Sequence, residues 1–141
     1  MQLSHEDDLL RDHPAIFRKL RPRFSDGERF ECGAGWKAII SNLATDLARI
    51  ALEADVEPPA IVMVKEKVGS LRVYLERPTS EIFEPAIDAA HDQSLVICEL
   101  CGAPGARVES AHYAQVRCGR CAGASREQEP ALAYRRPRSD D

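Results

Sequence analysis

Nothing in the 141 residues approaches the run of about 20 apolar side chains that a bilayer-spanning helix needs. The first twelve residues are polar and acidic and lack the basic and apolar regions of a secretory signal. Positive charge is not in excess either. A net charge of −4 and a pI near 5.6 give no general affinity for nucleic acid or membrane surfaces. No internal repeat occurs beyond two Cys-x-x-Cys pairs, and the glycine-rich stretch at 33–36 lacks both the preceding strand and the Lys-Ser/Thr pair of a phosphate-binding P-loop. These absences predict a cytoplasmic chain, where thiols stay reduced and available to metal. The length suits one domain with a small satellite, and a hydrophobic content of 44% is enough for a core.

Against this background the cysteines stand out. Cys98, Cys101, Cys118 and Cys121 form C-x2-C-x16-C-x2-C, within the spacing of a four-thiolate zinc site. Each pair can wrap a knuckle with its sulfurs about 3.5–4 Å apart, as tetrahedral Zn²⁺ with Zn–S near 2.3 Å requires. Gly102 stands where such a knuckle turns into positive φ. Residues 103–105 carry a turn signal, and 107–109 and 113–117 read as short strands. The prediction is a zinc ribbon with one structural Zn²⁺ per chain. A closed sphere of four cysteines leaves no position for water or substrate and so argues against zinc catalysis. His112 between the pairs is an alternative ligand, and two redox-active pairs or a disulfide are alternative readings. The ribbon's Arg107, Arg117 and Arg120 are nearly balanced by Glu99 and Glu109, a weak grip for phosphates.

The rest reads as α+β: helices packed on a β-hairpin over residues 1–97, the ribbon over 98–122, and a mostly disordered mixed-charge tail over 123–141. Ser4 and Asp7 resemble a helix start. Asp12 and Pro14 open a second helix that carries Ile16, Phe17 and Leu20 inward, and residues 21–29 read as a loop. Trp36, Ile39, Ile40, Leu43, Leu47, Ile50 and Ala51 recur at the helical period, with Arg49 able to bridge Asp46 and Glu53 on the wet face. Gly33 and Gly35 before this helix read as a tight turn that packs Trp36, or as an anion site of free helix N–H groups.

Residues 61–77 read as a hairpin turning at Gly69-Ser70 in a type II′ turn. Parity then places Val62, Val64, Glu66 and Val68 with Leu71, Val73 and Leu75 on the helix side. Ile61, Met63, Lys65 and Lys67 share the other face with Arg72, Tyr74 and Glu76. Ser80 or Thr79 caps a last helix to Ser94, in which Pro85 marks the true start and Ile82, Phe83, Ala86, Ile87 and Ala90 face inward, with His91 able to join them.

Three stretches resemble an uncharacterised family found mainly in bacteriophages and prophages: Glu31-Cys32-Gly33-Ala34-Gly35-Trp36; Val64-Lys65-Glu66-Lys67-Val68-Gly69-Ser70-Leu71-Arg72-Val73-Tyr74; and Cys98-Glu99-Leu100-Cys101-Gly102-Ala103-Pro104-Gly105. The chain departs from that family at Ala34, where an Asp is usual, at Val68, where an aromatic is usual, and at Cys121, where a His is frequent. The resemblance implies a phage or prophage origin and a shared fold, and no established activity.

Glu66, the single carboxylate on the apolar face, must be paired, hydrogen-bonded or neutralised. The expectation is that it accepts N–H bonds from residues 33–36 or pairs with an arginine; the alternative is a general base. An enzyme around Glu31, Cys32 and Glu66 is the weakest functional reading, because no third group completes it and nothing adjacent activates Cys32. Lys65, Lys67, Arg72 and Tyr74 form a binding-surface candidate for an acidic protein patch or a phosphate backbone. The expected function is a non-catalytic, zinc-stabilised accessory protein, for example an inhibitor of a host defence system. The alternative is a nucleic-acid-binding regulator. The expected partner is a host or phage protein complex, with neither a membrane nor a small-molecule substrate.

Overall fold

The computed structural model describes residues 1–25, 27–109, 111–126 and 132. Most of the tail expected to be disordered lies outside the described residues. The fold is α+β, and it ends in a C-terminal cluster of four cysteines consistent with a zinc ribbon. Helices α1 (Leu3–Asp12), α2 (Lys37–Glu53) and α3 (Glu84–Ser94) pack on one face of a sheet of β1 (Phe30–Glu31), β2 (Ile61–Lys67) and β3 (Ser70–Leu75), in the order β1-β2-β3. Strands β4 (Ala106–Glu109) and β5 (Ala114–Arg117) form the ribbon's own hairpin.

Helix α2 follows the sequence pattern closely. Ile39, Ile40, Leu43, Leu47 and Ala51 are buried along one stripe, and Arg49 bridges Asp46 at 3.5 Å and Glu53 at 3.4 Å on the other. Helix α1 begins at Leu3, without the expected side-chain cap. The second helix expected after Asp12 does not form. The segment closes as turns that still bury Ile16, Phe17 and Leu20, with the Phe17 N–H on the His13 carbonyl at 3.2 Å. Before α3, Ser80 accepts from the Ile82 N–H at 3.3 Å over a 3-10 turn at Glu81–Phe83, and Pro85 sits in the first turn of the helix. Phe83 and Ala90 are buried as expected, whereas Ile82 points to solvent and His91 is half-buried beside Asp92.

The sheet holds two corrections. First, a strand does precede the glycine-rich stretch at 33–36: residues 30–31 pair in parallel with β2, Phe30 with Val64 and Glu31 with Lys65. Phe30 packs edge-on against Phe17 at 5.1 Å. The Glu6 carboxylate, 2% exposed, accepts the Arg29 and Phe30 N–H bonds at 2.9 Å each and holds the strand in place. Second, the hairpin turns one residue earlier than expected. Lys67 pairs with Ser70, leaving Val68 (φ 52°) and Gly69 (φ 75°) as the two central residues. Both lie at positive φ, as type I′ requires and type II′ does not.

The parity of the strands survives this shift. Val64 opposes Val73 and Glu66 opposes Leu71 on the helix side, while Lys65 opposes Arg72 and Met63 opposes Tyr74 on the outer face. A β-bulge between Ile61 and Met63 breaks the alternation and turns Ile61 into the core beside Leu75, against the expectation that it faces out.

Candidate metal centre

The ligand atoms of Cys98, Cys101, Cys118 and Cys121 all lie within 4.8 Å of one another. None of these cysteines is in a disulfide, and the Cys101 and Cys118 sulfurs are 3.6 Å apart, against about 2.05 Å for a bonded pair. Sulfurs about 3.8 Å apart are what a tetrahedral ion with bonds near 2.3 Å gathers. The four cysteines are therefore placed to hold a metal ion, and the donor set is compatible with structural zinc. Turn bonds shape both knuckles: Gly102 N–H to the Cys98 carbonyl at 3.0 Å, with Gly102 at φ +80°, and Cys121 N–H to the Cys118 carbonyl at 3.2 Å.

Burial pushes the Cys118 thiol up, but the Cys121 N–H and the neighbouring thiols outweigh it and bring its pKa down to about 7. Burial raises Cys121 to about 12. The Arg120 guanidinium donates to the Cys101 and Cys121 sulfurs, which raises its own pKa. That cation stands where a tetrathiolate zinc centre would carry its excess negative charge.

The spacer residue Glu99 joins this cluster to the rest of the molecule. Its carboxylate accepts from the Gly33 N–H at 2.8 Å and from Arg117 Nη1 at 3.1 Å. Both partners are almost sealed, with Glu99 3% and Arg117 5% exposed. The Glu99 carbonyl accepts the Gly35 N–H at 2.7 Å, and the Trp36 indole donates to the Ile97 carbonyl at 2.9 Å. Glycine is obligatory along this seam. A Cβ on Gly33 would meet the Glu99 carbonyl oxygen at 2.4 Å, and one on Gly35 would meet that of Cys98 at 2.1 Å. Residues 33–36 are thus a tight turn packing Trp36, and the anion that their N–H groups receive is the chain's own Glu99.

The partners expected of Glu66 therefore belong to Glu99. Glu66 itself is half-buried and, among the described residues, accepts a single long bond, 3.4 Å, from the Gly69 N–H. Burial pushes its carboxyl up, and the nearby Glu99 adds to the shift. It borders a hollow of about 390 Å³ between the hairpin turn and β4–β5, with Arg107, His112 and Tyr113 on the far wall. Glu31 lies on the opposite face of the sheet from Glu66, in register with Lys65 and 3.2 Å from Arg23. Cys32 is fully buried, with its thiol pushed up by burial. The structure does not gather Glu31, Cys32 and Glu66 into one site.

Lys65, Lys67, Arg72 and Tyr74 do share the outer face of β2 and β3. Among the described residues neither lysine has an ion-pair partner. Among the described residues Arg72 donates to the Ser70 hydroxyl alone, at 3.0 Å. Sequence reasoning missed Glu99 and Arg117 because each reads as filler beside a cysteine. The one available signal was a carboxylate and a guanidinium flanking motifs that must be dry. Among the described residues no helix is long and apolar enough to cross a membrane. No family model, curated protein or solved structure matches the chain.

Proposed function

We propose that the protein is a non-catalytic binding module, held together by one structural Zn²⁺, that captures an acidic patch of a partner protein on the outer face of β2 and β3. The observation carrying this reading is the cluster of Lys65, Lys67 and Arg72 beside the exposed Tyr74 on a sheet face, with no carboxylate paired to them among the described residues. Unpaired cations on a rigid sheet lose little in ordering when they meet opposite charge, and they steer encounter. The resemblance to the bacteriophage family supports a phage-type accessory role, with a host or phage protein complex as partner in the host cytoplasm. Inhibition of a host defence complex is its concrete form.

The same cations fit a phosphate backbone, which is the second reading. It is weaker because the ribbon adds little to it: Arg107 is paired with Glu109, Arg117 with Glu99, and Arg120 faces the sulfurs. The test is affinity capture from host lysate by the wild-type chain and by the Lys65→Glu, Lys67→Glu, Arg72→Glu variant, with metal analysis of both. About one zinc per chain and loss of capture in the variant are expected. Capture that survives charge reversal sinks this surface. Retention on labelled DNA that falls steeply with salt would move the assignment to nucleic acid.

A further inference from the structure

A second surface of opposite sign lies at the rim of the sheet. Strand β3 is an edge strand, and its Leu71 N–H turns away from β2 to donate to Ser94 Oγ at 2.9 Å. Every second residue of an antiparallel ladder points the same way. The Val73 N–H and carbonyl therefore also face outward, and they have no partner among the described residues. Unpaired edge groups of this kind are a template for another strand.

A groove of about 260 Å³ runs beside Val73, between β3 and the start of α3, with Phe83 and Ile87 as its apolar wall and Glu84 and Asp88 on its lip. It is short. Ser94 closes the edge at Leu71. The charge around it is mainly acidic. Arg77 is the single lysine or arginine on its lining, while Glu84 and Asp88 line it and Glu81 stands nearby, all three carboxylates exposed and without an ion-pair partner among the described residues.

We propose that this groove docks a short extended basic segment of a partner protein, which adds to β3 as a fourth strand. The segment pairs with the Val73 N–H and carbonyl and lays alternate apolar side chains over Phe83 and Ile87, with a lysine or arginine reaching Glu84 and Asp88. Nucleic acid and anionic lipid carry the wrong charge for this lip. The site adjoins the cationic outer face at Tyr74, but its carboxylates Glu84 and Asp88 and the Val73 edge are not part of that face, so different variants test the two.

The test uses the zinc-loaded full chain and two six-residue probes that put valine and the charged residue on the same strand face, acetyl-Val-Thr-Val-Thr-Lys-Thr-amide and acetyl-Val-Thr-Val-Thr-Glu-Thr-amide, followed by amide NMR and hydrogen exchange. The lysine peptide is expected to shift the signals of β3 and the first turns of α3 and to slow Val73 amide exchange at least about tenfold. The paired change Glu84→Lys, Asp88→Lys should weaken it at least about tenfold. Val73→Pro removes an N–H with no internal partner, so it should abolish binding. If that variant unfolds, a lysine peptide N-methylated at alternate amides must fail to bind the wild type. The proposal is overturned by unchanged Val73 exchange at saturating peptide, by no binding of the lysine peptide, by equal binding of the glutamate peptide, or by concentration-dependent protection of Val73 in a dimer, which would assign the edge to a second copy.

Discussion

The ribbon meets the rest of the protein at two places, and they are built to different standards. At residues 33–36 the contact is backbone against backbone: Glu99 satisfies Gly33, Gly35 and Arg117 at once, and two glycines exist because nothing larger fits. At the hairpin tip the contact is loose. Arg107 donates to the Val68 carbonyl at 3.1 Å, Gly69 lies against Ala114, Glu66 keeps one long bond, and a hollow of about 390 Å³ opens between the two hairpins beside them. The first contact fixes where the ribbon sits. The second leaves a strained valine and an under-satisfied carboxylate that the first must tolerate.

Metal removal should have the largest effect. Structural zinc contributes on the order of 10 kcal/mol in small zinc domains, and Trp36 reports on the tight seam through its bond to Ile97, one residue before Cys98. Chelation should collapse the near-ultraviolet signal of Trp36 together with the ribbon. A Trp36 signal that persists in zinc-free protein would break the coupling between metal and seam. Gly35→Ala comes next. Its Cβ would stand 2.1 Å from the Cys98 carbonyl oxygen, so the seam must open at a cost of roughly 3–5 kcal/mol. Gly119→Ala, with nothing within 4 Å, is the internal control and should stay within about 0.5 kcal/mol in urea unfolding. Arg117→Met strands the buried Glu99 carboxylate and should cost about 3 kcal/mol. A much smaller loss would mean that water reaches the seam.

How much of this was legible in the chain depended on the range of the signal. The α2 stripe, the knuckle spacing and the hairpin parity repeat within a few residues, so the period alone reveals them. Strand β1 is two residues long and parallel, and its pairing with Val64 and Lys65 reaches across more than thirty positions without a periodic trace. The bulge at Ile61 is a single-residue event that alternation cannot announce. Glu99 was hidden for another reason. Spacing arguments treat the residues between ligands as interchangeable, yet this one carries the seam, and Glu66 drew the expectation because it interrupts an apolar face. The turn was misplaced because a β-branched residue at positive φ is disfavoured, and Val68 adopts it nonetheless.

That strain gives the fourth comparison. Val68 is 57% exposed, so its side chain contributes little packing to offset a left-handed conformation costing about 1–2 kcal/mol. Val68→Asn creates the Asn-Gly pair preferred in type I′ turns and should stabilise the protein by about 1 kcal/mol, measured by the urea midpoint. Destabilisation instead would show that Val68 packs on the ribbon more firmly than its exposure implies.

The smallest effect belongs to Glu66, and its sign separates the two contacts. Burial, reinforced by Glu99, raises its carboxyl pKa in the folded state above the unfolded value. A raised carboxyl favours folding while protonated, below the unfolded value of about 4.3, and that favour is lost as pH rises through the folded pKa. At neutral pH the ionised Glu66 is therefore a mild liability. Glu66→Gln, which keeps the acceptor for the Gly69 N–H, should stabilise by less than about 1 kcal/mol at pH 7, since partial exposure screens the charge. The gain over wild type should shrink on acidification toward pH 4, where both side chains are neutral. Paired urea titrations across this range measure the difference. A variant less stable at pH 7 would show that the ionised carboxylate is held by partners at the hairpin tip, and the contact would then resemble the seam at Glu99.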